Sequence, residues 1–469
     1  MKVAFVHYHL KTGGVTTVLK RQVEAIHGFF DTLVLTGDRA TCELPCPVVE
    51  IPELGYDQPG VSTPAADMVA GRALEALNEK WPGGCDVLHV HNPTLAKNRQ
   101  FLQIIKKLQQ AGVNLFLQIH DFAEDGRPDL YFNEDYPADC HFGVINARDA
   151  DILIEAGLDR AGLHHIPNAV QGLAGNGGRC PKKPILYPVR AIRRKNLGEA
   201  ILLSMFLDNE QHIAVTQPPN SPMDTASYRD WVDWVRQHHL RVDFEAGTRV
   251  AFPVLIGNSA SMVTTSISEG FGLAFLEPWT AGKLLWGRRL GKICADFEEN
   301  GIRLDYLYDQ FNVPLAWIDA RTFSRDWHLS VFNAADRYGH PVVVDRVNRA
   351  FARLTRSETI DFGLLSEKFQ RQLIARLIAD PSAKVELVRL NPWLSHPGEV
   401  SNPSAIIENN RRAIMQNYGA EQYRRRLMAI YDQVAQYPVC HQIDKRALRE
   451  SFFDLDRFSL LQWGAYDPG

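Results

Sequence analysis

Three features of the sequence predict a doubly wound α/β fold in two tandem units. Short apolar runs alternate with helix-period segments from residue 2 onward. Glycine turns follow the first run (Gly13-Gly14) and a late one (Gly270-Phe271-Gly272), where strands of such a sheet hand over to helices. A stretch with four glycines, two prolines and no periodicity, residues 171 to 184, separates the halves.

Length and composition bound the reading. A chain of 469 residues suffices for two or three domains with sizeable cores. Its 45% apolar and 23% charged residues are those of a soluble globular protein. A net charge of −4 argues against a general nucleic-acid binder. No apolar window is long enough to span a bilayer, and residues 1 to 7 read as a first strand rather than a leader. The seven cysteines are scattered and form no CxxC pair, so neither a disulfide framework nor a zinc ribbon is expected. The cytoplasm is the expected compartment.

In chain order, residues 2 to 7 have the continuous apolar character of a parallel strand. Val15, Val18, Leu19, Val23 and Ile26 then recur at helical spacing. Strands are predicted over 31–36, 47–52, 86–92, 114–122, 143–146 and 163–170, with helices over 65–80 and 97–111. After the linker come strand 184–189, helix 196–207, strand 212–216, helix 225–238, and strands 242–244 and 260–264. Further helices are expected over 345–356, with Asp345 as its cap, and over 367–378, 404–417 and 420–436. The domains expected are 1–172, joined by 418–469, and 173–417, which carries an atypical segment over 285–400. Two such sheets would turn their carboxyl ends toward a common cleft.

The densest chemistry lies in residues 266 to 277 (Ser-Ile-Ser-Glu-Gly-Phe-Gly-Leu-Ala-Phe-Leu-Glu). A strand, a glycine turn and a helix start over 273–281 bring free backbone N–H groups together, a site suited to anions. Glu269 and Glu277, eight positions apart, are unsuited to phosphate and better suited to the hydroxyls of a sugar or ribose. A helix cap and a solvated carboxylate account for the same two residues about equally well. The loop 189–196 carries Arg190, either Arg193 or Arg194, and Lys195, cations fit for a diphosphate, or else a solvated charge run. Gly13-Gly14 lacks the GxGxxG pattern, which disfavours a nicotinamide or flavin site. It does allow backbone to approach a ligand closely.

These positions together resemble a family-4 retaining glycosyltransferase of the GT-B architecture. The likeness rests on Gly13-Gly14-Val15, the run 86–91 ending His89-Val90-His91, and His120-Asp121. To these add Ile166-Pro167-Asn168, Arg190 with Lys195 five residues on, and Glu269 with Glu277 as an E-x7-E signature. It covers residues 1 to about 285 and implies two Rossmann-like domains, with a C-terminal helix crossing back to the first. It implies that Arg190 and Lys195 neutralise a donor diphosphate, Glu269 binds the donor sugar and Glu277 the ribose. Gly13 and Gly14 would lie by the diphosphate and His120 by the sugar. Gly270, Phe271, Gly272 and Leu273 complete the donor loop. The implied reaction is metal-independent transfer of a hexose from a nucleotide-diphosphate sugar, with retention and no cofactor. A polar, soluble small acceptor is expected, because residues 101–108 are only weakly basic for a membrane-binding helix.

Other readings compete. Asp149 and Asp151 match the metal-binding DxD of the other glycosyltransferase architecture, but residues 147–156 read as a helix that would point them apart. His89 and His91 share one face of a strand without a third ligand, and His164-His165 and His238-His239 read as structural. A nucleotide-sugar epimerase, a glycoside phosphorylase or a sugar-nucleotide sensor would use the same architecture.

Overall fold

The structure is a computed structural model, and it describes residues 1–38, 43–61, 64–176 and 183–464. The chain divides into two compact units. One comprises Met1–Ala169 and Gln416–Phe453, the other Val170–Met415 and the stretch from Asp454 on.

The first unit is built on seven strands: β1 (Lys2–His7), β2 (Asp31–Thr36), β3 (Val48–Glu50), β4 (Val87–His91), β5 (Leu115–Ile119), β6 (His141–Val144) and β7 (Leu163–His165). All pair in parallel, in the order β3-β2-β1-β4-β5-β6-β7. The order reverses between β1 and β4. Alternation along β1 shows why both faces are covered. Val3 and Phe5 point into a layer with the helices Gly14–Ile26 and Ala420–Gln436, through Leu19, Val23, Leu427 and Tyr431. Ala4 and Val6 belong to the opposite core, with Val69, Ala73, Ile105 and Leu108 from the helices Ala66–Lys80 and Phe101–Gln110.

The second unit has five parallel strands, β8 (Ile185–Arg190), β9 (Ile213–Gln217), β10 (Val242–Asp243), β11 (Ser261–Thr264) and β12 (Leu285–Gly287), in the order β10-β9-β8-β11-β12. Here the order reverses between β8 and β11. The ladder between β8 and β9 breaks between Tyr187 and Arg190, where Pro188 has no N–H to donate. Leu285-Trp286-Gly287 closes the sheet edge.

The segment 285–400 adds a hairpin, β13 (Asn312–Pro314) with β14 (Thr359–Asp361), and four helices of ten or more residues: Ala320–Arg337, Val344–Leu354, Glu367–Ala379 and Pro381–Leu390. These elements lock onto the sheet through buried charge. Arg288, just past β12, donates to Glu199 from Nε (2.9 Å) and Nη2 (2.5 Å), and to Asp361 from Nη1 (2.8 Å) and Nη2 (2.7 Å). Tyr308 donates its hydroxyl to Glu199 at 2.7 Å and stacks on Trp393 at 3.9 Å between centroids.

Three expectations are corrected, and a fourth falls partly outside the described residues. The helix expected over 273–281 is a 3-10 turn, Leu273–Phe275, followed by a separate short helix, Glu277–Thr280, which Pro278 enters in its first turn. Asp345 lies inside the first turn of Val344–Leu354, whose cap position is Val343. Residues 454–464 belong with the second unit, not the first: Phe458, Leu460 and Leu461 are buried there, and Ser459 donates to the Gly363 carbonyl at 3.0 Å. Part of the expected linker, residues 177–182, lies outside the described residues.

Replacing Arg288 by Ala should leave two carboxylates without their counter-charge and destabilise the second unit by about 3–5 kcal/mol. Urea denaturation followed by tryptophan fluorescence measures this, and an unchanged midpoint would refute the buttressing role.

Candidate functional site

The loops after β8 and β11 flank the switch point of the second sheet, where open α/β sheets take their ligands. The first loop carries Lys195, at the end of the 3-10 turn Arg193–Lys195, and the second carries Glu269. Glu269 is buried, Lys195 is largely so, and the two side chains are joined in an ion pair. Burial opposes charge on Glu269, but Lys195 and Arg194 outweigh it and hold the carboxyl below its usual range. Burial lowers the pKa of Lys195, against the pull of Glu269.

The contact is set by polar groups that periodicity does not single out. Tyr187, on β8, donates its hydroxyl to the Lys195 carbonyl at 2.6 Å. Thr265, just past β11, donates to the carbonyls of Lys195 and Asn196, each at 3.0 Å. The Ile267 N–H donates to the Arg194 carbonyl at 3.0 Å, stitching the two loops together. Asn196 takes a left-handed conformation (φ 52°) and donates its side-chain amide to Glu199 at 2.8 Å. Gln370, from the atypical segment, donates to Asn196 Oδ1 at 2.9 Å. The Arg288 network therefore ends one residue from Lys195.

The two arginines left open by the sequence have different surroundings. Arg193 is turned inward, donating to the Gly464 carbonyl at 2.6 Å and lying 3.7 Å from Glu367. Arg194 acts electrostatically on both Lys195 and Glu269. Arg190 is exposed at the end of β8, with a 3.4 Å hydrogen bond to the Pro218 carbonyl. Gly272 has φ 88°, and a Cβ there would lie 2.9 Å from Phe275, so the turn after Glu269 requires glycine. Phe271 is buried, Gly270 and Leu273 are partly exposed, and Glu277 opens the short helix with a half-buried side chain.

In the first unit, the exposed Gly13 and Gly14 begin the helix Gly14–Ile26, which has no side-chain cap and no acidic residue in its first turn. A Cβ on Gly14 would meet nothing within 4 Å, so the backbone there is open to approach. His120, just past β5, is buried and stacks on His91 with ring centroids 5.2 Å apart. Its backbone N–H donates to Asn92 Oδ1 at 2.7 Å. His120 Nε2 and His91 Nδ1 are 2.9 Å apart, while His91 Nε2 is buried without a partner among the described residues. A proton on His91 Nε2 would be an orphan donor, so it sits on Nδ1 and is donated to His120. His120 then carries its own proton on Nδ1. Burial pushes the His120 pKa down to about 4, opposed by Asp121, so the ring is neutral at pH 7.

The remaining candidates are structural. His89 is bonded to Tyr431 (2.8 Å) and Gln118 (2.9 Å), and His164 to His141 (2.8 Å). Asp149 forms a reciprocal cap with Asn146 at the start of the helix Ala147–Glu155, while Asp151 is exposed. Among the described residues no group of three or more His, Cys, Asp or Glu is placed to hold a metal ion. No helix among them is long and apolar enough to cross a membrane.

The two sheets, each with its own switch point, define the GT-B fold, and solved structures agree. Sucrose-phosphate synthase from Thermosynechococcus elongatus aligns with a TM-score of 0.53 at 14% identity, over 92% of this chain and 98% of that one. Anabaena HepE in complex with UDP-glucose aligns at 0.54 and 13%, over 92% and 99%. In sequence, the chain is 26% identical over 355 residues to mannosylglucosyl-3-phosphoglycerate synthase of Petrotoga mobilis, covering 66% of this chain and 68% of that protein. No protein-family model matches the chain.

Nitrogen-15 NMR of the imidazoles should show His120 as the Nδ1–H tautomer and neutral at pH 6; an imidazolium at that pH would refute the assignment. A histidine pKa depressed on folding also means that acid favours unfolding. Its contribution to stability should therefore be lost as pH falls from about 6.5 toward 4, visible in urea midpoints.

Proposed function

We propose that the chain is a retaining glycosyltransferase, resembling family 4, that moves a hexose from a nucleotide-diphosphate sugar to a small, polar, soluble acceptor without a metal. The observation that carries this reading is the largely buried Lys195–Glu269 pair at the switch point of the second sheet. A diphosphate needs a cation and a sugar ring needs a hydroxyl acceptor, and a sugar nucleotide presents the two side by side. An ionised Glu269 accepts hydrogen bonds from donor hydroxyls, as its lowered pKa allows. Lys195, Arg194 and Arg190 balance the diphosphate charge, with N–H groups of the Gly270-Phe271-Gly272-Leu273 turn beside them. Glu277 takes the ribose hydroxyls. In the first unit, taken by itself, His120 offers a neutral Nδ1 donor and Gly13-Gly14 an uncapped helix start, the groups that the resemblance assigns to donor binding.

In the reaction the bond from the anomeric carbon to the diphosphate oxygen breaks, and the acceptor oxygen bonds to that carbon on the same face. The acceptor's proton passes to the departing phosphate. Stabilising that leaving group electrostatically is the protein's main contribution to rate. The Petrotoga relative and the UDP-glucose complex of HepE support a nucleotide sugar as donor, and UDP-glucose is the first to try. An epimerase on this architecture would return an isomerised donor, and a phosphorylase would consume inorganic phosphate.

Lys195→Ala should lower kcat by about a hundredfold or more with the fold intact, as expected for loss of one preorganised charge. Activity should persist in excess EDTA. A glycosylated product measured by mass spectrometry distinguishes transfer from isomerisation, and near-normal turnover in Lys195→Ala would sink the assignment.

A further inference from the structure

The first unit has a switch point of its own, between β1 and β4, flanked by loops 8–13 and 92–100. Lys97 lies in the second loop, and its backbone is held firmly. Tyr8 donates its hydroxyl to the Leu95 carbonyl at 2.6 Å. Asn98 donates to the carbonyls of Glu53 (2.7 Å) and Gly55 (2.8 Å), and the Asp57 N–H donates to the Lys97 carbonyl at 2.9 Å. The half-buried ammonium lies 5.0 Å from the centre of the Tyr56 ring, and no carboxylate among the described residues pairs with it.

The charges around it are already engaged. Arg127 holds Asp121 at 2.8 Å, and Lys11 holds Asp38. The Asp57 carboxylate accepts from the Arg99 N–H at 3.0 Å. His9 Nε2 is 3.1 Å from the Tyr56 hydroxyl, and those two rings meet edge-on. Burial lowers the pKa of Lys97, Arg127 adds to the effect and Asp121 opposes it. A partly desolvated cation that makes no ion pair among the described residues, fixed at a ligand-binding edge, gains from an incoming anion.

We propose that Lys97, with Tyr56 and His9 beside it, forms an anion subsite on the first unit that takes the phosphate or carboxylate group of an acidic acceptor. Only the word acceptor rests on the transferase reading; the anion subsite does not. Lys97 supplies the charge, and Tyr56, whose ring faces the ammonium, offers an aromatic wall for the rest of the ligand.

Calorimetry on the full-length chain tests this, with 3-phosphoglycerate, glucose 6-phosphate and glucuronate as anionic probes, glycerol and glucose as neutral ones, and UDP titrated separately. At least one anionic probe should bind about tenfold or more tighter than its neutral counterpart. Lys97→Met, which keeps an unbranched stem, should weaken that probe by about tenfold to a hundredfold, the scale of a charge-assisted contact, and leave UDP unaffected. Lys97→Arg should recover part of the loss and shows that the site still folds. Binding by phosphates alone or by glucuronate alone identifies which anion the subsite takes, and either supports it. Equal binding of acids and neutral probes, or Lys97→Met binding the acids like the unaltered chain, overturns it. If the Lys97 dependence holds but UDP does not bind, the transferase reading fails and the subsite stands.

Discussion

The second unit depends on how one guanidinium is held. Arg288 is buried between Glu199 and Asp361, and each carboxylate comes from a different layer of the unit. Removing charges from water is costly, so such a group is tolerated only when its donors are matched, and five hydrogen-bond directions then fix its neighbours. Through Glu199 and Asn196 that fixity reaches the loop of Lys195. Residues 285–400 thus support the Lys195 loop from behind.

The site in this unit is an ion pair resting between loops that follow β8 and β11. The loop after β8 is tied through its Lys195 and Asn196 carbonyls to Tyr187 and Thr265, and through its Arg194 carbonyl to Ile267 of the loop after β11, so the side chains approach in a set geometry. Preorganisation of this kind matters for catalysis because the charges need not reorient as the leaving group develops. The Lys195–Glu269 contact also keeps each charge satisfied within the unit itself.

The first unit uses neutral groups instead. Its strand ends gather His7, His89, His91 and His120, and burial drives all four toward the uncharged form. Uncharged imidazoles stack and pass hydrogen bonds without mutual repulsion, which lets His120 present a defined donor. In the same unit, Lys97 is a cation whose charge is not already matched by a carboxylate among the described residues.

The sequence by itself determined the α/β class, most strand positions, the glycine turn after Glu269 and the pairing in sequence of Arg190, Lys195, Glu269 and Glu277. Those features are local: periodicity, glycine at a left-handed position, and charge at strand ends are all written in neighbouring residues. Helix starts were less legible, as at Asp345 and Leu273, because several polar residues compete for a cap and Pro278 divides a run that is otherwise helical in pattern. Only the tertiary structure decided that Arg193 faces inward while Arg194 attends the ion pair, that residues 454–464 rejoin the second unit, and that His91 sets the proton of His120. It also turned residues 285–400 from an unexplained insertion into the support of the Lys195 loop. Each of these rests on partners far apart in the chain, such as Glu199 with Arg288 or Asn196 with Gln370. Sequence spacing carries no record of such contacts, because burial and hydrogen-bond geometry select them only once the chain has packed.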